Sequence, residues 1–167
     1  RVSLATRLAA VAYWLPLAAE YADHDVEHVH RLRVSTRRAI AALNLYSEWL
    51  PEKPSRWLKK RLKKIRRAAG DARDLDVLAD RILRHGGASA QSLLEEFAKR
   101  REAAQPAIVA VAARCHHHEC FSRKTLRLLE RIKLPVSVGE AVVPICFRDW
   151  AGEQLAASAH AFFQAMP

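Results

Sequence analysis

With 167 residues, half of them hydrophobic, the chain is one domain's worth and can bury a sizeable core. Twenty-eight Lys and Arg against 18 Asp and Glu leave a formal net charge of +10, which points to an acidic partner: nucleic acid, an anionic membrane or another polyphosphate. Cys115, Cys120 and Cys146 are an odd set with no look of a disulfide framework, so the expected compartment is a reducing cytoplasm.

Few glycines and many Ala, Leu, Arg and Glu favour helix, and neither alternating β-branched residues nor hairpin turns signal strands. The first predicted helix covers about Ser3 to Tyr21, with Leu4, Leu8, Val11 and Leu15 at helical spacing and a bend near Pro16. Its apolar run, Leu8 to Ala19, is too short to span a bilayer. Asp23 or Asp25 is the expected cap of a second helix that reaches Leu50 and stops before Pro51. Ser55 is the expected cap of a third, running to about Arg84 and ended by Gly86-Gly87. Ser92 with Glu95 reads as a capping box for a fourth helix to about His117, kinked at Pro106. A short helix over Ser122 to Lys133 and a last one from about Pro144 to Ala165 complete the set. Short links between long amphipathic helices predict an all-α, antiparallel helical bundle of about six helices, with residues 1–167 forming a single domain.

The charge is concentrated on two neighbouring segments. From Arg56 to Arg67, eight of twelve residues are Lys or Arg and none is acidic. On the second helix Val29, Leu32, Thr36, Ile40, Leu43 and Leu50 form the apolar stripe, and His30, Arg33 and Arg37 share a strip along its edge. Arg31 and Arg38 fall further round. On the third helix Leu58, Leu62, Ile65 and Ala69 face the core, whereas Arg56, Lys60, Lys63 and Arg67 stand opposite, flanked by Lys59 and Lys64. Such side chains suit phosphate oxygens: Arg gives forked hydrogen bonds and Lys a mobile point charge. The competing reading is a solvated face with ordinary Arg-Glu pairing, and the scarcity of acids between Lys53 and Arg73 argues against it. Extending the third helix puts Asp76 on the core side, where it needs a cationic partner; an Arg of the same cluster is the expected one.

The string His30-x-x-Arg33-x-x-x-Arg37-Arg38, followed by a basic helix and Gly70-x-x-Arg73-Asp74-Leu75-Asp76-Val77, resembles the CHAD domain, the conserved histidine α-helical domain. The resemblance is specific through about residues 25 to 80 and general elsewhere. It implies an all-helical fold of two pseudo-symmetric bundles that binds inorganic polyphosphate and has no catalytic activity of its own. It also implies a CYTH-type triphosphate tunnel enzyme in the same pathway and an association with polyphosphate granules. On this likeness His30, Arg33, Arg37 and Arg38 fall on the first family signature, Lys63 and Arg67 on the basic positions before the glycine, and Arg73 on the Arg-Asp element; Lys60 and Lys64 join them as polyphosphate-binding candidates. A second signature of the form His-x-x-Arg-x-x-x-Lys-x-x-Arg-Tyr is not found: His160 is followed by no Lys or Arg. The expectation is therefore the first half of the family pattern, truncated or degenerate.

Other signals carry less. Cys115-His-His-His-Glu-Cys120 sprays its ligands around a helix end and lacks any established metal spacing, so no metal and no cofactor is expected. Trp14, Trp49, Trp57 and Trp150, with Phe97, Phe147, Phe162 and Phe163, read as core rather than as base-stacking platforms. Phosphate loops, nucleophile elbows and dinucleotide fingerprints are missing. The leading expectation is non-enzymatic binding of inorganic polyphosphate, with no membrane partner. The alternatives are a nucleic-acid-binding helical module and a metal-dependent phosphohydrolase using Asp74 and Asp76.

Overall fold

A computed structural model describes residues 2–22, 25–85, 90–117 and 120–132, together with 155, 156, 160 and 164. The chain divides into two compact units, Arg1–Lys133 and Leu134–Pro167. The predicted last helix, with Cys146, Phe147, Trp150, Phe162 and Phe163, lies almost wholly outside the described residues.

The first unit is an all-α bundle: α1 (Val2–Glu20), α2 (Glu27–Leu45), a 3-10 turn (Ser47–Trp49), α3 (Glu52–Ala68), α4 (Gly70–His85), α5 (Gln91–His116) and α6 (Cys120–Glu130). Leu4, Leu8, Val11, Leu15, Ala18 and Ala22 recur every three or four residues along α1 and its exit, and all are buried. Short links fold α1, α2 and α3 back on one another, and the stripes meet: Val29, Leu32, Thr36 and Leu43 of α2 face Leu58, Leu62 and Ile65 of α3. Ile108, Val111, Ala112 and Cys115, spaced i, i+3, i+4 and i+7, close this core from the C-terminal half of α5, and Phe121 and Leu128 of α6 complete it. Each fully buried Leu or Ile contributes roughly 1.5–3 kcal/mol over exposure. Among the described residues no helix is long and apolar enough to cross a membrane.

Four boundaries differ from expectation. The second helix stops at Leu45, and the chain reaches the buried Leu50 through the 3-10 turn rather than in continuous helix. The residue at its cap position is Val26 rather than Asp25, although Asp25 accepts the Glu27 N–H at 2.8 Å; Asp23 lies outside the described residues. Ser55 is not a cap but a buried residue inside α3, which begins after Pro51 with Pro54 in its first turn, where a missing N–H costs nothing. Ser92 likewise falls inside α5, whose preceding residue is Ala90.

The fourth difference matters most. The expected third helix is two helices, broken at Ala69, whose φ of −86° and ψ of 3° leave helical geometry while its N–H still reaches Ile65 O. A new helix begins at Gly70. It packs against α5, and Ala72 is its one residue buried as a whole.

Candidate functional site

Because the chain breaks from helix at Ala69, the start of α4 returns against α2 and a groove of about 640 Å³ opens between three helices. Its walls carry His30, Arg33 and Arg37 from α2, Arg66 and Arg67 from the last turn of α3, and Gly70, Asp71 and Arg73 from the first turn of α4. The i, i+3, i+7 spacing on α2 sets the first three side chains on one line, and Thr36 between them is turned inward, its hydroxyl donating to Arg33 O at 2.8 Å.

Arg33 sits deepest. Its Nη1 lies 3.4 Å from the point a Cβ on Gly70 would occupy, so a larger side chain at that position would press on the guanidinium. The same nitrogen is 3.6 Å from Asp74 Oδ1, a loose pair that aims the Arg33 fork without a close hydrogen bond. Asp74 is itself 69 % exposed, so an incoming anion can compete with it.

A second chain of contacts holds α4 in place. Asp76, with its side chain 4 % exposed, accepts from Arg101 Nε of α5 at 2.9 Å. Arg101 Nη1 donates to Gln105 Oε1 at 3.0 Å, and Gln105 Nε2 donates to the carbonyls of Ala18 and Ala19 near the end of α1 at 2.9 and 3.0 Å. Those carbonyls belong to a helix end that lacks onward partners. Burial raises the Asp76 carboxyl above its ordinary value, opposed by the Arg101 charge and hydrogen bond and by the Arg73 charge. Asp76 Oδ2 is buried without a hydrogen-bond partner among the described residues. The expected pairing of Asp76 with an arginine of the basic cluster is therefore corrected. Its ion pair is with Arg101, 25 residues along the chain, and it is Asp74 that approaches Arg33 of the cluster.

The lysines stand apart from the groove. Arg56, Lys59, Lys60, Lys63 and Lys64 line a trough of about 780 Å³ on the outer face of α3, which meets the groove at the shared Arg66 and Arg67. Arg56 is not a free cation there, since it pairs with Glu52 one turn back. Burial, followed by repulsion from Lys63, lowers the Lys59 pKa from its usual 10.5. Arg38 is outside both places: it lines a hollow between α1 and α2 with Arg7, Trp14 and Arg31. His30 and Arg37 border that hollow as well as the groove.

Of the sequence candidates, the groove thus gathers His30, Arg33, Arg37, Arg67 and Arg73, and the outer trough holds Lys60, Lys63 and Lys64. Arg66, Gly70 and Asp71 join the groove without belonging to the predicted set. In an unbroken helix Arg66 sits on neither the core face nor the outer face; the signal that places it is Gly70, a residue that favours a helix boundary.

The tryptophans are also more than core. Trp57 is half-buried, with Arg61 Cζ 5.1 Å and Lys124 Nζ 5.8 Å from its ring centre, and Arg31 Cζ lies 5.8 Å from the Trp14 ring. Cys115 faces the core and Cys120 opens the next helix, both as free thiols. His118 and Glu119 lie outside the described residues, among which no group of three His, Cys, Asp or Glu side chains is placed to hold a metal.

The family model of the CHAD domain matches residues 3–166. The chain belongs to the CHAD domain family. The match extends well beyond the stretch, about residues 25 to 80, where the sequence likeness is specific, and it takes in nearly the whole chain. No curated protein and no solved structure matches it. In this CHAD chain the two signature elements, the His30 to Arg37 strip and the Gly70 to Arg73 turn, are the two walls of one groove.

Proposed function

We propose that this CHAD domain binds inorganic polyphosphate, without catalysing a reaction, along the groove between α2, α3 and α4. The observation that carries the reading is the convergence of five arginines and His30 from three helices on a groove whose own carboxylates are few. A flexible chain of phosphates presents oxygens on every side, and arginines fixed at different heights can each fork onto a different phosphate. Arg33 is pre-aimed by Asp74 and makes the central contact; Arg37, Arg66, Arg67 and Arg73 take its neighbours, and His30 donates a hydrogen bond. The lysines of the outer trough add attraction at longer range and strengthen the salt dependence.

The catalytic alternative needs Asp74 and Asp76 to act together, yet one contacts Arg33 and the other Arg101. The nucleic-acid alternative needs large aromatic faces beside the phosphate contacts, and no Phe, Tyr or Trp is among the described lining residues of the groove. Competition at equal phosphate concentration tests the choice. Long-chain polyphosphate should displace DNA and RNA, and nucleic acid displacing polyphosphate would replace this reading with the nucleic-acid one. A tripartite CHAD, CYTH and polyphosphate pathway, and a place on polyphosphate granules in the cytoplasm, are extensions of the same proposal.

A further inference from the structure

The groove uses one flank of α3. On the other flank, Arg61 shares a separate hollow of about 480 Å³ with Arg114 of the last turn of α5, with His117 just beyond it, and with Cys120 and Arg123 from the start of α6. Arg61 is six residues from Arg67, which places it about 9 Å along α3 and roughly 120° around it. The two concavities have no described lining residue in common.

Three features distinguish this hollow from an ordinary solvated surface. No carboxylate is among its described lining residues, and Arg61, Arg114 and Arg123 take part in none of the ion pairs among the described residues, where Arg31, Arg56, Arg84 and Arg100 each neutralise a carboxylate one turn away. Arg61 is steadied from one side, its guanidinium 5.1 Å from the Trp57 ring centre; that contact occupies the π face and leaves its N–H fork available. Its charge reaches the interior as well: burial pushes the Cys115 thiol up, and Arg61 opposes that rise. Three like charges drawn from three helices repel one another in the free protein, and an anion between them removes the repulsion.

We infer that the Arg61, Arg114 and Arg123 hollow is a second anion site, built for a compact phosphate group. A single carboxylate is satisfied by one guanidinium fork, whereas a terminal phosphate, with three outward oxygens and more charge than an internal one, matches three arginines arriving from different directions. The ligand is a free oligophosphate or the end of a longer chain whose body crosses the outer face of α3. The site rests on residues other than those of the proposed groove and stands or falls separately from it.

Tripolyphosphate titrated calorimetrically into the whole chain provides the test, using the parent, Arg33→Gln with Arg37→Gln, and Arg114→Gln with Arg123→Gln. Arg114 and Arg123 are exposed, and unchanged thermal unfolding by circular dichroism confirms that both variants fold. The groove variant should keep one tripolyphosphate site of parental affinity, and the hollow variant should weaken that site at least tenfold. If the groove itself binds nothing, the parent shows one site and the hollow variant still loses it. A parallel titration with long-chain polyphosphate separates the sources: a tenfold loss in the hollow variant indicates a chain end, and parental affinity indicates a free oligophosphate. The inference is overturned if the groove variant binds no tripolyphosphate, or if the hollow variant binds it as the parent does.

Discussion

The groove and the outer trough of α3 are adjoining concentrations of positive charge that share Arg66 and Arg67, yet they are built differently. In the groove Arg33 is partly buried, aimed by Asp74 and set against a residue without a side chain. In the trough, every described lining residue comes from the one helix α3, and the one arginine outside the shared pair is tied to Glu52. The difference teaches that charge density alone does not define a site. Directional contacts require guanidinium groups held from several helices, and a row of lysines on one helix supplies a field.

The most severe way to break this comparison is to reverse the groove. Arg33→Glu with Arg37→Glu should weaken polyphosphate binding about a thousandfold, on the order of 4 kcal/mol, as read by calorimetry, because two charge-assisted contacts become repulsions. Equal affinity in the parent and the variant would remove the groove from the account.

Next comes the anchor of α4. Asp76→Ala leaves Arg101 buried without its partner and should cost roughly 3 kcal/mol of stability in urea unfolding. The titration of Asp76 itself has the opposite sign from that of an ordinary paired carboxylate. Burial raises its value in the folded state, so the stability linked to it is full below the unfolded value, about 3.9, and is lost as pH rises through the raised one. Asp76→Asn should flatten that part of the pH dependence, and an unaltered profile would show that the buried carboxyl does not contribute to it.

A smaller effect belongs to the trough. Lys60→Gln, Lys63→Gln and Lys64→Gln together should reduce affinity about tenfold in low salt and make the salt dependence shallower by about two units of slope, while sparing the high-salt affinity that the groove provides. A loss as great as that from the groove variant would erase the distinction. The smallest effect is alkaline. Burial and Lys63 lower the pKa of Lys59 from 10.5, so a rise in pH should discharge Lys59 before its neighbours and weaken binding a few-fold. Lys59→Arg should remove this early loss.

Much of this arrangement is legible in the sequence because it is periodic. Leu4, Leu8, Val11 and Leu15, and then Val29, Leu32, Thr36, Ile40 and Leu43, declare their faces at helical spacing, and the structure buries all of them but Ile40, which is partly buried against the core. The edge strip of His30, Arg33 and Arg37 follows from the same arithmetic. The break at Ala69 does not, because Ala and Arg on either side are good helix formers and only Gly70 hints at a boundary. That break brings Arg66 to the groove and carries Asp76 away from the basic cluster toward α5. The true partner of Asp76, Arg101, is in the next helix, and no local spacing rule reaches across a hairpin. Arg38 shows the reverse error: it belongs to the sequence signature but lines a different hollow, since one step along a helix turns a side chain by about 100°.

The most direct test of the central claim is to observe the arginine side-chain N–H resonances by NMR while medium-chain polyphosphate is added. The account predicts that Arg33, Arg37, Arg66 and Arg73 shift together and saturate, with Arg38 and Arg84 unmoved. Saturable binding that leaves Arg33 and Arg37 unshifted would contradict it.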